Sequence, residues 1–310
     1  MGENEPLVPL DAEPYAVEWL KAFHRRRELG VSLIRLLGDA TARARNQREL
    51  HPARTRSYWR WIVGTALLEL AAAAAGWTLI PRSAVLALAG ITIGWMVLVA
   101  IGGALHIGLV RTPDDRPREK FGLANGITLA RIASVPLMAF WIAFLAPGRP
   151  VALFCFLLLL AVTLSDILDG NIARHLDAPT RFGRRADQAA DLVVGSVVAT
   201  ALFTKGLLPW WFAGAVLFRY FGAGLGAALL SLRKGQPTPA APTVLGKAST
   251  LTLALGVLAV VAEQAWPDLL PRGLLKPLLG AGTALALVSA ADLMKRAYEW
   301  FTASAADGGR

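Results

Sequence analysis

The chain has a single cysteine, Cys155, and it lies inside an apolar run. A disulfide framework and a thiolate metal site are thereby excluded within one chain. Residues 1–20 show no secretory leader: they open with Glu3 and Glu5, and no short apolar segment with a small-residue cleavage site follows. The first apolar span is therefore expected to stay as an anchor. No internal repeat period stands out, and the tract AAAAAG reads simply as helix. Acidic residues are the scarcer sign, 22 Asp and Glu against 32 Lys and Arg, for a net charge of +10. An excess of that size could serve nucleic acid, but its distribution argues for orientation in a membrane and no nucleic-acid partner is expected.

Long apolar runs are abundant. The chain is 55% hydrophobic with a mean hydropathy of +0.48, and runs of about 20 mostly apolar residues, the length that crosses a bilayer, occur eight times. They fall near 59–80, 84–110, 123–146, 151–172, 186–204, 208–232, 246–264 and 274–296. The expected fold is thus an all-α polytopic membrane protein with about eight transmembrane helices. With both termini cytoplasmic, 25 of the 32 Lys and Arg fall in inner segments, against five outside and two, Arg131 and Arg219, within apolar runs. The positive-inside rule then places the protein in the plasma (inner) membrane with the polar connections on the cytoplasmic side.

Three regions follow from composition. Residues 1–58 read as a basic, helical cytoplasmic extension, suited to the anionic membrane surface. Residues 59–110 form an accessory transmembrane hairpin. The linker RTPDDRPREK, with two prolines and seven charges in ten residues, separates it from a six-span unit at 111–310.

That unit carries SDILDGNIARHLDAPTRFGRRADQAADL, residues 165–192, and an intramembrane carboxylate is costly and usually functional. Asp166 and Asp169 are three apart on one span and Asp187 and Asp191 four apart on the next, so each pair shares a helix face. The short connection is expected to pack the two spans antiparallel with the acidic faces opposed. Converging carboxylates repel unless cations neutralise them, and all-oxygen ligation selects a hard ion, Mg²⁺ or Mn²⁺. Two such ions clamp a phosphoryl group during in-line displacement. Gly170 and Gly183 leave room for a bulky ligand, and Arg174, Arg181, Arg184 and Arg185 offer donors to phosphate oxygens. His175 and Asp177 read as ordinary interfacial groups.

Written as D-x-x-D-G-x-x-A-R, eight residues, then G-x-x-x-D-x-x-x-D, the stretch resembles the signature of the CDP-alcohol phosphatidyltransferase family at all eight defined positions. Upstream, NGITLARIASVP resembles the segment N-x-x-T-x-x-R that opens the family core, through Asn125, Thr128 and Arg131. The resemblance covers the six spans after residue 120 and not residues 1–110. It implies transfer of a phosphatidyl group from CDP-diacylglycerol to an alcohol with release of CMP. It implies two metal ions, Mg²⁺ or Mn²⁺, held by Asp166, Asp169, Asp187 and Asp191, with Asp191 also the general base. It implies a CDP pocket lined by Asn125, Thr128, Arg131, Gly170, Ala173, Arg174 and Gly183, and a homodimer.

For the acceptor, a small polar or phosphorylated alcohol, the signals are shorter. Arg219 lies in an apolar run, and G-K-x-x-T at Gly246–Thr250 resembles a segment of glycerophosphate-transferring and cardiolipin-forming members. Arg219, Arg233 and Lys247 are expected to bind the acceptor, with glycerol 3-phosphate ranked before inositol or inositol phosphate and phosphatidylglycerol. Two other classes use membrane carboxylates. An intramembrane prenyltransferase fits D-x-x-x-D but not the D-x-x-D-G-x-x-A-R half, and a divalent-cation transporter would place its ligands near the bilayer midplane.

Overall fold

The computed structural model describes residues 29–75, 80–145, 149–175, 179–222, 225–226, 229–230, 233, 243–267, 269–271 and 273–307. The first half of the expected basic extension, residues 1–28, lies outside them. Among the described residues there is no β-strand, and the chain is an all-α polytopic membrane protein.

In chain order the helices are α1 (Leu29–Leu50), α2 (Pro52–Ala74), α3 (Arg82–Leu105), α4 (Leu123–Ala133), α5 (Val135–Ala143), α6 (Arg149–His175), α7 (Arg181–Thr204), α8 (Trp210–Leu217), α9 (Val244–Ala265) and α10 (Leu275–Asp307). Of the eight expected spans, five are helical segments long and apolar enough to cross a membrane: 82–105, 123–143, 181–204, 244–265 and 275–296. The other three are helical but differ for local reasons. Helix α2 opens with Arg54, Arg56 and Arg60 and carries Glu69. The apolar part of α6 is the shorter Pro150–Asp166, because its last turns carry the acidic motif. Helix α8 gives way after eight residues to a π-helical turn, Phe218–Gly222.

The third span is broken rather than continuous. Pro136 cannot donate an N–H to the carbonyl four residues back, so α4 ends at Ala133 and α5 restarts at Val135. Thr180 and Thr243 start α7 and α9: each hydroxyl accepts the N–H three residues on, from Gly183 and Gly246, at 2.9 Å. Gly122, at φ 87°, starts α4 in a conformation that favours glycine.

The two acid-bearing helices do not pack along each other as the short connection suggested. Instead α4 packs against both α6 and α7, and on its other side against α2 and α3. The helix packed against both brings a cation, Arg131, to their acidic residues.

Of three apolar clusters among the described residues, two pack the helices around the acidic motif. One unites α5 to α10 around Met138, Ile142, Leu202, Phe212 and Val261. The other joins the hairpin to α4 and α7 through Tyr58, Ile62, Met96, Leu129 and Phe182, with the rings of Tyr58, Phe121 and Phe182 stacked edge to face in sequence. The charged linker is folded, not extended. Thr112 N–H donates to Arg116 O at 2.9 Å and Arg118 N–H to Val110 O at 3.1 Å. Arg54, fully buried, donates from Nε to Arg118 O at 2.7 Å. Burial first, and Arg111 second, push the Arg54 guanidinium down to about 10. Arg181 holds the same linker from α7, through an ion pair to Asp115 at 3.1 Å and a bond to Pro113 O at 3.2 Å.

Candidate active site

At one end of the bundle α6 supplies Asp166 and α7 supplies Asp187 and Asp191, and each offers a carboxylate oxygen within 4.8 Å of the others. Three carboxylates this close repel strongly unless cations lie among them. One is present in the protein: Arg131, from α4, pairs through its two terminal nitrogens with Asp166 Oδ1 and Asp187 Oδ1. The same guanidinium lies 3.9 Å from Asp191 Oδ1, beyond hydrogen-bond reach. Its side chain is 3% exposed, whereas the three carboxylates are 37–44% exposed. The arrangement is a buried cation under a half-open acidic surface. A single guanidinium leaves at least two negative charges over, and the donors are all oxygen, so the cluster suits a hard divalent cation.

Beside it opens a cavity of about 770 Å³. Its lining includes Asn125, Thr128, Gly170, Gly183, Asp187 and Lys247, which joins one of the acidic residues to four residues that the family resemblance assigned to the nucleotide and one expected to bind the acceptor. The amino ends of α4 and α7 line the same cavity at Ala124, Asn125, Thr180 and Gly183, and α9 begins next to it at Lys247. Helix N-termini carry partial positive charge and N–H donors, which favours phosphate.

Asn125 is 4% exposed and links two helices: its Nδ2 donates to Phe121 O, and its Oδ1 accepts from Thr180 Oγ1 at 2.7 Å. Thr128 is likewise buried and donates to Ala124 O at 3.1 Å. Both therefore shape the wall as well as line it. Arg219 lies outside the cavity lining; its Nε donates to Ser249 Oγ at 3.2 Å and its terminal nitrogen to Gly246 O at 3.4 Å, beside Lys247 on α9. Arg233 is exposed. Asp169, Ala173 and Arg174 lie on the last turns of α6, and their side chains fall outside the described residues.

Sequence reasoning missed Arg118, Lys120 and Thr180 as cavity lining. The first two sit in a linker whose prolines and charges read as a boundary, and only its folding against Arg54 and Arg181 turns them inward. Thr180 carried a usable signal, a Thr three residues before a glycine at a helix start.

The profile of the CDP-alcohol phosphatidyltransferase family matches residues 121–291, more than half of the chain. The chain belongs to this family. A CDP-diacylglycerol–glycerol-3-phosphate 3-phosphatidyltransferase of Bacillus subtilis is 35% identical over 156 residues, covering 46% of this chain and 78% of that protein. A similarly named protein of Aquifex aeolicus is 30% identical over 138 residues, 44% of this chain and 73% of its own length. A CMP-forming cardiolipin synthase of Streptomyces coelicolor is 33% identical over 132 residues, 42% of this chain and 60% of its own. The family match begins at the end of the linker, so the hairpin of α2 and α3 lies wholly outside it.

The family's glycine at Gly183 has a local reason here. A Cβ at this position would stand 2.7 Å from Asn125 Oδ1 and 3.2 Å from Thr180 Oγ1. Asn125 is held at both ends of its amide and cannot swing away without losing a bond. Gly183→Ala is expected to raise the apparent KM for the CDP-linked lipid about tenfold, the kinetic equivalent of one lost buried hydrogen bond. A CMP-release titration of the lipid checks this, and an unchanged KM would remove Gly183 from the nucleotide wall.

Proposed function

We propose that the protein is a phospholipid synthase that transfers the phosphatidyl group of CDP-diacylglycerol to glycerol 3-phosphate, releasing CMP at the cytoplasmic face of the plasma membrane. The observation that carries the reading is the trio Asp166, Asp187 and Asp191, brought within 4.8 Å by two separate helices beside a cavity that holds the motif's glycines.

In this reading Asp166, Asp169, Asp187 and Asp191 hold two Mg²⁺ or Mn²⁺ ions, which when bound supply charge neutralisation for the pyrophosphate and the departing CMP. Gly170 and Gly183 let the nucleotide approach the backbone, with Asn125, Thr128, Ala173 and Arg174 around it. Asp191 accepts the acceptor's hydroxyl proton. The hydroxyl oxygen forms a bond to the phosphorus that bears the diacylglycerol, the bond from that phosphorus to the CMP oxygen breaks, and CMP leaves with the electron pair. Lys247, lining the cavity, and Arg219, whose terminal nitrogen donates to Gly246 O on the same turn of α9, favour an acceptor that carries its own phosphate. Arg233 contributes from the surface. Residues 111–310 form the transferase unit, 59–110 the accessory hairpin and 1–58 the basic extension, and the working form is a homodimer.

The names borne by the relatives, glycerol-3-phosphate transferase and cardiolipin synthase, set the two acceptors to be separated first. The test is CMP release from CDP-diacylglycerol with glycerol 3-phosphate, inositol, inositol 1-phosphate, serine and phosphatidylglycerol offered singly. Glycerol 3-phosphate is expected to give the fastest release, EDTA to stop it, and Mg²⁺ or Mn²⁺ to restore it. Faster release with phosphatidylglycerol or an inositol acceptor would replace the acceptor. No release with any of them would end the transferase reading, and release persisting in chelator would end the role given to the carboxylates.

A further inference from the structure

The accessory hairpin reaches the acidic site through one helix. On either side of Arg131, α4 meets a tryptophan from outside the family-matched region. On the near side Trp61, from α2, lies flat on Gly126: a Cβ there would overlap the indole ring. On the far side Trp95, from α3, donates its indole Nε1–H to Ile132 O at 2.8 Å.

The second contact has a specific cause. In a continuous helix the carbonyl of Ile132 accepts the N–H of residue 136, but that residue is proline and has none. A carbonyl left open at membrane depth is costly. At this break side-chain donors supplement the backbone: Ser134 Oγ to Arg131 O at 2.9 Å and Trp95 Nε1 to Ile132 O at 2.8 Å, where the Ser134 N–H also points but residue 136 gives none. These are the carbonyls of the residue that bridges Asp166 and Asp187 and of its neighbour. Tyr58 in turn ties the two hairpin helices together, its hydroxyl donating to Ala100 O at 2.6 Å. The last turn of α4, from which Arg131 projects, is therefore fixed by the hairpin.

We infer that the hairpin is a positioning element of the transfer site, with Trp95 as its key residue: by holding the Ile132 carbonyl that Pro136 leaves open, it sets where Arg131 presents its guanidinium to the carboxylates. The inference rests on the function proposed above, in which those carboxylates do the chemistry.

The test uses the full-length protein in lipid nanodiscs. Trp95→Phe, which removes the donor and keeps an aromatic ring, is expected to lower kcat about tenfold while the KM for CDP-diacylglycerol stays within about twofold. Trp95→His, smaller but still carrying a ring N–H, is expected to retain more turnover than Trp95→Phe. A role in packing alone predicts the reverse order. In a Pro136→Ala background, where residue 136 regains an N–H for Ile132 O, Trp95→Phe is expected to cost less than about threefold. A readout independent of turnover is the Mg²⁺ concentration at half-maximal thermal stabilisation, which should shift at least about threefold in Trp95→Phe as the carboxylates lose their spacing. Wild-type kcat in Trp95→Phe with an unmoved Mg²⁺ midpoint, or equal losses in the wild-type and Pro136→Ala backgrounds, would overturn the inference. If the wild type itself releases no CMP, the proposed function fails instead, and the Mg²⁺ midpoint still decides the role of Trp95.

Discussion

Asp191→Asn is expected to cut turnover by about a thousandfold while binding of the CDP-linked lipid falls far less, because a general base contributes on that scale. In the proposed function this carboxylate is the base. Asp166 and Asp187 each accept a charge-assisted bond from Arg131. Asp191 Oδ1 stands 3.9 Å from the same guanidinium. Asparagine keeps the shape and one oxygen ligand but has no lone pair basic enough to accept the acceptor's proton. CMP release gives the turnover, and thermal stabilisation by CDP-diacylglycerol gives the binding. Equal loss of both would mean that Asp191 acts as a ligand and not as the base.

Replacing Arg131 should be as severe, by a different route. Arg131→Met fills similar volume with an apolar chain and takes away the guanidinium that pairs with Asp166 and Asp187. The carboxylates left behind are 37–44% exposed, so water screens part of the lost attraction, and turnover is expected to fall at least about a hundredfold because the carboxylates spread apart. Arg131→Lys separates charge from geometry. A single ammonium cannot reach two carboxylates as the fork does, so stability should return in part and turnover should not. Melting temperature and CMP release measured side by side check this. Wild-type turnover in Arg131→Met would mean that bound metal alone holds the cluster.

The motif made the site legible because metal ligation and helix periodicity both constrain spacing: Asp166, Asp169, Asp187 and Asp191 had to share faces near one end of two helices. It did not disclose what lies between them. An antiparallel pair with acidic faces opposed was the simplest reading of a short connection, yet α4 is inserted between the two and packs against both. Interleaving of three helices has no local signature, so the position of the Arg131 guanidinium among the carboxylates was not legible. The spans were legible by length and polarity, and the departures follow from particular residues: Pro136 broke one span, and the acidic motif shortened the apolar part of α6. The linker misled for the opposite reason. Pro, Asp and Arg mark exposed turns in most chains, and here the same residues are gripped by Arg54 and Arg181.

That grip bears on how the protein can be taken apart. A boundary drawn from composition or from family coverage suggests two modules, a dispensable anchor and a self-sufficient enzyme. A chain cut at the linker would lose the partners of Phe121 and of the Arg118 and Ile132 carbonyls together, and would place aromatic surface and bare peptide groups against lipid. Transplanting residues 111–310 alone into another membrane protein would carry over the motif without the contacts that the hairpin makes to α4.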